Sequence, residues 1–265
     1  MTERPELRQT FESVAATYHT SRPRYPAALF DELERSAGLS APADILEIGC
    51  ATGIATEPMA RRGHRITCVE LGSALAAEAR ANLDGYPEVS AVCASFESWE
   101  PSAWGAFDLV HAATAWHWLD PATRYRRAHR HLRPGGALAF WSATHVVPVD
   151  GDPFFVELQE VYDEIGESLP GDWVFPKPGE LSDQTAEIIT SGLFTPVVVR
   201  HFDWETIHDA DSYIALLETF SSHRVMQAWQ RQRLYAEIRR RLGQRATGTL
   251  RRHWGAVLHV ARRSS

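Results

Sequence analysis

The chain has 265 residues, of which 44% are hydrophobic, and a formal net charge of -7. This length allows one large domain or two small ones around a core of ordinary size. Nucleic-acid binding depends on cationic neutralisation of phosphates, so the negative charge argues against a DNA or RNA partner.

The cysteines and the N-terminus favour a cytoplasmic protein. Cys50, Cys68 and Cys93 are odd in number and lack C-x-x-C spacing, so we predict neither a disulfide framework nor a metal site. Residues 1–10 contain no apolar signal segment, and no apolar run approaches the roughly 18 residues that a membrane span requires. We therefore expect no membrane partner.

Apolar runs alternate with helical patterns from Asp44 onward, which predicts a parallel sheet covered by helices. The predicted strands are Ile45–Ile48, Arg65–Glu70, Val89–Ala94, Phe107–Ala112 and Ala137–Trp141. The predicted helices between them are Ile54–Arg62, Ser73–Leu83 and Pro121–Leu132.

The alternation breaks after Trp141, where proline-rich turns flank a predicted helix, Pro153–Ile165. Further elements follow, predicted as helix Thr185–Ser191, strand Val197–Trp204, helices Asp211–Val225 and Gln227–Leu242, and strand Trp254–Val260. The pattern predicts an α/β fold, Rossmann-like and doubly wound, whose mostly parallel seven-stranded sheet carries helices on both faces and a helical cap. We expect one domain over 1–265, with an N-terminal helical segment (1–43), a cofactor-binding half (44–145), a cap insertion (146–180) and the rest of the sheet (181–265).

The strongest local signal is a buried strand that runs through a small-residue turn, Gly49 to Gly53, into a helix. Glycines permit a tight turn and a close approach of a ligand, and a helix N-terminus offers unpaired N–H groups. Ala51 stands where a dinucleotide fingerprint has its second glycine, and no third glycine follows. No Gly-Lys-Ser/Thr ending is present either, so a P-loop is excluded.

Glu70 ends the second predicted strand, about 20 residues beyond the first glycine. A carboxylate there accepts hydrogen bonds from both hydroxyls of a ribose. The glycine turn and the acidic strand end together favour a ribose-bearing ligand.

Residues 47–53 resemble motif I of the class I S-adenosylmethionine-dependent methyltransferases, E/D-x-G-x-G-x-G. The segments 93–97, 107–110 and 132–136 resemble later landmarks of that family. Two positions depart from its pattern: Ala51 replaces a common glycine, and Ser95 stands where many relatives carry an aspartate toward the adenine. The resemblance implies S-adenosylmethionine as cofactor, with S-adenosylhomocysteine as product, and a cofactor site made of Glu47, Gly49, Cys50, Ala51, Gly53, Glu70, Leu71, Ser95, Phe96 and Ala113.

A narrower resemblance joins the N-terminal stretch 11–26 with the sequence Ala-Trp-His-Trp at 115–118. Both are similar to the small-molecule methyltransferases of the trans-aconitate methyltransferase-like, type 11 group. This resemblance implies that the N-terminal helix closes over the cofactor, with Tyr18 or Arg22 near its methionine carboxylate.

Methyl transfer is an in-line displacement, so the protein must align the acceptor and, for weakly acidic acceptors, remove a proton. His117 is the leading candidate base because it follows the fourth strand, at the edge where such sheets bind ligands. Its alternative role is packing between two tryptophans; His111 and His145 are weaker candidates. Arg22 and Arg24 are candidates to pair with an acidic acceptor or with the cofactor carboxylate, and their alternative is a place as surface cations. Candidates for an apolar acceptor pocket are Trp116, Trp118, Trp173 and Phe175, which have core or cap packing as their alternative.

We therefore predict a methyltransferase that acts on a small molecule, with O-methylation of a carboxylate or hydroxyl favoured, working as a monomer or homodimer. A second interpretation keeps the cofactor but not the transfer, as in a cyclase or a binding partner. A third, a dinucleotide oxidoreductase, is disfavoured by Ala51. The C-terminal arginines between 231 and 252 predict a solvated helix face or, alternatively, a basic patch for an acidic partner.

Overall fold

In a computed structural model, which describes residues 15–264, a single mixed sheet organises the chain. The predicted α/β fold is confirmed, but the described part has eight strands rather than seven. The additional strand has three residues, too few to show a period-two pattern in the sequence. The strands are β1 (Asp44–Ile48), β2 (Arg65–Glu70), β3 (Val89–Cys93), β4 (Phe107–Ala113), β5 (Leu132–Trp141), β6 (Thr144–Val146), β7 (Phe194–His208) and β8 (Leu250–Arg263).

The first five strands are parallel, in the order β3-β2-β1-β4-β5. β8 then runs antiparallel to β5 and β6, and β7 pairs antiparallel with β8. The chain leaves β1 toward β2 on one side, whereas β4 lies on the other side of β1. The sheet order therefore reverses at β1, and ligands bind outside the carboxyl ends of the strands at such a switch point.

Helices cover both faces of the sheet. Several are shorter than predicted, because the end turns of Ile54–Arg62 and Pro121–Leu132 are irregular. A 3₁₀ turn, Trp116–Trp118, follows β4. The α-helices are α1 (Ala15–Ser21), α2 (Ala27–Ala37), α3 (Thr56–Arg61), α4 (Ser73–Asn82), α5 (Arg124–His131), α6 (Phe154–Glu157), α7 (Gln159–Glu164), α8 (Thr185–Thr190), α9 (Ala210–Leu217), α10 (Ser221–Val225) and α11 (Ala228–Gly243).

The strand residues alternate between two hydrophobic layers. Ile45 and Leu109 face the layer that contains α2, α3 and α4, whereas Leu46 and Val110 face the layer that contains α5 and α8. All four side chains are fully buried. Because successive strand side chains point to opposite faces, a strand covered on both faces is a continuous apolar run, as the sequence of β1 shows.

A third hydrophobic cluster forms a helical layer beside β8. It joins two distant segments, since Phe154 and Leu158 pack with Leu217, Leu234 and their neighbours. The insertion after β6 is therefore one part of this layer, and α9 to α11 supply the rest. We call this layer, residues 154–164 and 210–243, the helical cap.

The predicted helix Asp211–Val225 is interrupted at 218–220. Asp209 caps the first part by accepting a hydrogen bond from the Ser212 amide at 2.8 Å. The Thr219 carbonyl then accepts a hydrogen bond from Arg22 Nη2 at 2.7 Å instead of continuing the helix. This break brings residues 220–222 to the edge of the sheet where the strands end.

The arginines of α11 form ion pairs within the cap. Glu237 forms ion pairs with Arg233, Arg240 and Arg241. The pKa of the Glu237 carboxyl is lowered to about 2, and the hydrogen bond from Arg240 is the largest cause. These contacts agree with the helix-face interpretation for the arginines of α11, whereas Arg251 and Arg252 of the same basic stretch lie on β8. Across residues 15–264, no helix combines the length and apolar character of a membrane span.

Candidate active site

A cavity of about 530 Å³ opens at the carboxyl ends of β1, β2 and β4. The N-terminal helix α1 and the start of α10 close it from the other side. Its volume lies in the range of small-molecule sites. The lining residues that sequence analysis predicted are Tyr18, Arg22, Glu47, Gly49, Cys50, Ala51, Glu70, Leu71, Phe96, Ala113, His117 and Trp118.

Two glycines shape the turn after β1. Gly49 has φ +66°, and a Cβ there would stand 2.7 Å from the Ala115 Cβ. Gly53 has φ +89°, and a Cβ there would meet Leu83 Cδ1 at 2.9 Å. Gly49 lines the cavity, whereas Gly53 supports the turn from behind. The conformation requires glycine at both positions, because side chains rarely adopt it and the space is filled.

Ala51 occupies the left-handed region with φ +49°. An L-residue there costs about 1–2 kcal/mol relative to a right-handed conformation. The family pattern has glycine at this position, so the chain keeps the turn geometry at some cost in backbone strain.

Ala51→Gly is expected to raise the free energy of unfolding by about 0.5 kcal/mol, because relief of strain exceeds the added chain entropy of glycine. Ala81→Gly, on the exposed face of α4, provides the matched control, with an expected loss of about 0.5–1 kcal/mol. Urea denaturation of the three proteins measures both changes. Equal losses at the two positions would show that Ala51 is not strained.

The Glu70 carboxylate lies at the end of β2, 6% exposed. Its Oε2 accepts a hydrogen bond from the Ala51 amide at 2.9 Å, and its Oε1 accepts one from the Gly72 amide at 2.8 Å. Each oxygen of an ionised carboxylate has further acceptor capacity. The group is therefore fixed in place against the glycine turn, with its two oxygens held by backbone amides.

Glu47 is buried within β1 and also lines the cavity. Within residues 15–264 neither of its carboxylate oxygens has a hydrogen-bond partner. Its Oε2 lies 3.6 Å from His111 Nε2. Burial raises the pKa of Glu47 to about 7 and lowers the pKa of His111 to about 3. His111 stacks on Trp141 and lies behind the cavity, so its place is the core.

Glu47 makes the free energy of unfolding depend on pH. The pKa of Glu47 is about 7 in the folded chain and 4.5 in the unfolded chain. The protonated side chain therefore contributes its full stabilisation of the fold below about pH 4.5, and this stabilisation is lost as the pH rises through 7. In Glu47→Gln this loss disappears. The wild type should lose up to about 1.4 kcal/mol per pH unit relative to the variant between about pH 5 and 7. A pH-independent difference in urea denaturation would contradict the assigned shift.

The part of the predicted cofactor site away from the glycine turn and the two carboxylates is apolar. Leu71, Phe96 and Ala113 line the cavity, and Phe96 is buried beneath Arg127. Ser95 does not line it; its hydroxyl contacts Glu97 and receives a hydrogen bond from the Glu97 amide at 3.3 Å. An adenine ring would therefore meet mainly apolar side chains here.

The N-terminal helix α1 is tied to the glycine turn. His19 Nδ1 lies 3.2 Å from both the carbonyl and the hydroxyl oxygen of Thr52, and Asn82 Nδ2 lies 3.0 Å from the same ring nitrogen. Tyr18 and Arg22 thereby reach the cavity wall. The part of the predicted N-terminal helical segment (1–43) that falls on residues 1–14 lies outside the described residues.

The predicted acceptor residues separate into two groups. His117 and Trp118 line the cavity, with their rings 4.9 Å apart. Trp116 is 2% exposed and stacks on Phe140 at 5.0 Å, which places it in the core. Trp173 is 52% exposed and lies away from the cavity, and Phe175 packs on His145 at a centroid distance of 5.2 Å.

Several lining residues were not predicted. Tyr25 donates to or accepts from Thr114 Oγ1 at 2.8 Å, and Thr114 has φ +55° directly after β4. Backbone strain of this kind concentrates at functional sites. The sequence Arg-Tyr-Pro before α2 gives no local signal that Tyr25 lies at the edge of the sheet beside Thr114. The others include Ser142, Ala143, Thr144, Phe220, Ser221 and Ser222.

These features fit a sulfonium nucleoside. The Gly49 turn leaves room that a Cβ would fill, the Glu70 carboxylate suits ribose hydroxyls, and the unpartnered Glu47 oxygens suit an ammonium group. Fold and site together have the features of a Rossmann-like, nucleoside-binding protein.

Comparisons with known proteins agree with this class. Residues 46–140 match the family model described as a methyltransferase domain. An uncharacterised methyltransferase of Mycobacterium tuberculosis is 30% identical over 162 residues, which cover 57% of this chain and 63% of that relative. The ubiquinone biosynthesis O-methyltransferase of Pseudomonas aeruginosa is 36% identical over 106 residues, covering 39% of this chain and 45% of the enzyme.

A solved structure described as a type II methyltransferase, from Anaeromyxobacter dehalogenans, shares the fold over 91% of this chain and 97% of its own. Its TM-score is 0.61 and its sequence identity 24%. Residues 46–140 are therefore similar to methyltransferase domains, and the chain has the fold of the solved methyltransferase. The cofactor that this similarity implies is S-adenosylmethionine. The match spans less than two thirds of the length of the curated relatives.

Proposed function

We propose that this chain transfers the methyl group of S-adenosylmethionine to an oxygen atom of a small molecule, a carboxylate or a hydroxyl. The observation that carries the proposal is the single cavity wall that brings the Gly49 turn and the Glu70 carboxylate together with hydroxyl side chains and His117. The partial similarity to ubiquinone biosynthesis O-methyltransferases supports oxygen as the acceptor atom.

Each part of the cavity has a role in this proposal. Glu70 holds the ribose, Glu47 faces the ammonium group, and Leu71 and Phe96 contact the adenine. Tyr18 closes α1 over the methionine end. When bound, S-adenosylmethionine supplies a methyl group on a positively charged sulfur, which is a strong electrophile.

The remaining task of the chain is to orient the acceptor. The acceptor oxygen forms its bond to the methyl carbon as the carbon–sulfur bond breaks, and that electron pair stays on sulfur. A carboxylate has no proton to lose. A hydroxyl does, and His117, at the rim of the cavity, is the candidate that accepts it.

The proposal is tested by incubating the full chain with S-adenosylmethionine and a metabolite library, and following S-adenosylhomocysteine. Mild alkali then distinguishes the products, because methyl esters release methanol whereas methyl ethers do not. His117→Gln should slow transfer to hydroxyl acceptors about 10²-fold or more and leave carboxylate acceptors little affected. Products methylated only on nitrogen, carbon or sulfur would contradict transfer to oxygen.

A further inference from the structure

Arg252 is a buried cation beneath the helical cap. It lies on β8 with 7% of its surface exposed. Its Nη1 donates a hydrogen bond to the Tyr213 hydroxyl at 3.3 Å, and its Nε has no hydrogen-bond partner among the described residues. Within residues 15–264 no carboxylate forms an ion pair with it, although other arginines of the cap are paired.

Aromatic rings surround the Arg252 guanidinium. Its Cζ lies 4.5 Å from the ring centroid of Trp254, 5.6 Å from Phe220, 5.7 Å from Phe155 and 5.9 Å from Tyr213. Such contacts offset part of the loss of hydration, but they do not neutralise the charge.

The histidines near the Arg252 guanidinium are uncharged and do not compensate its charge. Burial, and then the charge of Arg252, lower the pKa of His145 to about 2 and the pKa values of His208 and His223 to about 4. At neutral pH these rings are uncharged. The region between β8 and the cap therefore holds an uncompensated positive charge, which is unusual for a group so strongly desolvated.

Phe220 connects this charge to the cavity. Its ring lines the cavity wall, and the Arg22 guanidinium carbon lies 4.4 Å from its centroid. The ring thus contacts both arginines. Arg22 donates Nη2 to the Thr219 carbonyl, and its buried Nε has no hydrogen-bond partner in the described part of the chain.

The cavity is electrostatically polar. The carboxylates on its described wall are Glu47 and Glu70, at the ends of β1 and β2 where the cationic cofactor is proposed to bind. The side closed by α1 and α10 has Arg22, the hydroxyls of Ser221 and Ser222, and Arg252 behind Phe220. A positive end lined with hydrogen-bond donors favours an anion, because a buried charge is poorly screened.

We propose that the acceptor carries a carboxylate that binds at the end of the cavity lined by Arg22, Phe220 and Ser221, and that Arg252 makes this end selective for anions. The inference rests on the proposed function and specifies its substrate class. A carboxylate held by guanidinium groups is a weakened nucleophile, so the methyl group goes to a second oxygen of the same molecule. Arg252 acts here through its charge and as a support for Phe220.

The test uses the full chain saturated with S-adenosylhomocysteine and three probes, benzoate, 3-phenylpropanoate and glutarate, each compared with its amide by ligand-observed NMR. The wild type should bind at least one acid about tenfold or more tightly than its amide. Arg252→Met should remove this preference and Arg252→Lys should keep most of it. Binding of S-adenosylhomocysteine should stay unchanged in both variants.

Arg251→Met is the matched control, because it removes the same charge from the neighbouring position of β8, where the side chain is half exposed and faces Glu205. It should keep the preference for acids. Equal binding of acids and amides by the wild type, or no acid binding at about 10 mM, overturns the inference without any variant.

The acid preference and the atom methylated separate the two proposals. Methyl transfer to oxygen of neutral and acidic molecules alike would leave the proposed function standing and remove the inference. Transfer to nitrogen or carbon of carboxylate-bearing molecules would contradict the proposed function and leave the preference for acids standing.

Discussion

Glu70→Ala is expected to weaken binding of S-adenosylhomocysteine by about 5- to 150-fold, equivalent to about 1–3 kcal/mol. The carboxylate is proposed to accept hydrogen bonds from the ribose hydroxyls while it holds the Ala51 and Gly72 amides. Its removal takes away the ribose contacts and leaves the Ala51 and Gly72 amides without their acceptor. Isothermal titration calorimetry measures the change.

The control for Glu70 is Glu88→Ala, which removes an exposed carboxylate just before β3, at the opposite end of the strands. We expect unchanged affinity in that variant. Circular dichroism should show that both variants remain folded at the temperature of the titration. Wild-type affinity in folded Glu70→Ala would mean that the ribose is held elsewhere.

Gly49→Ala is expected to lower the free energy of unfolding by about 2–4 kcal/mol and to weaken cofactor binding more than tenfold. Two costs combine: an L-residue at φ +66°, and a Cβ placed 2.7 Å from the Ala115 Cβ. Both Gly49 and Ala115 line the cavity, so any relaxation of the contact moves its wall. Urea denaturation and calorimetric titration measure the two effects.

Gly63→Ala separates backbone strain from the crowding at Gly49. Gly63 also has a positive φ, +84°, but a Cβ there would lie 3.9 Å from its nearest neighbour, Ala41 Cβ. We expect a loss of about 1–2 kcal/mol in stability and no change in cofactor binding. If the two alanine variants behaved alike, the close approach to Ala115 would have no energetic consequence.

The cofactor half of the fold was predictable because its signals are local. A continuous apolar run defines β1, a glycine turn follows it, and Glu70 ends the next strand. Each of these depends on residues near one another in the chain, and the parallel sheet then brings the strand ends together. The first four parallel strands therefore lie within one residue of their predicted bounds, whereas β5 begins five residues before its predicted start.

The acceptor half was harder to predict because tertiary packing decides it. The break at Thr219 depends on a hydrogen bond from Arg22, 197 residues earlier in the chain. Trp116 and Trp118 belong to one short motif, yet the 3₁₀ turn sends the first into the core and leaves the second at the cavity. Nothing in the local sequence distinguishes them.

Arg252 illustrates the same limit. In the sequence it is one arginine among many near the C-terminus, in a stretch interpreted as a solvated face. The strand period points it under the cap, on the same side of β8 as Trp254, whereas Arg251 points outward. The extent of β8, which begins four residues before the predicted strand, was needed to place it there.

The most direct measurement is a crystal structure of the full chain with S-adenosylhomocysteine. The account predicts ribose hydroxyls within hydrogen-bond distance of the Glu70 carboxylate, the adenine beside Phe96, and the amino group toward Glu47. A nucleoside bound away from the Gly49 turn, or oriented with its adenine at Arg22, would contradict it.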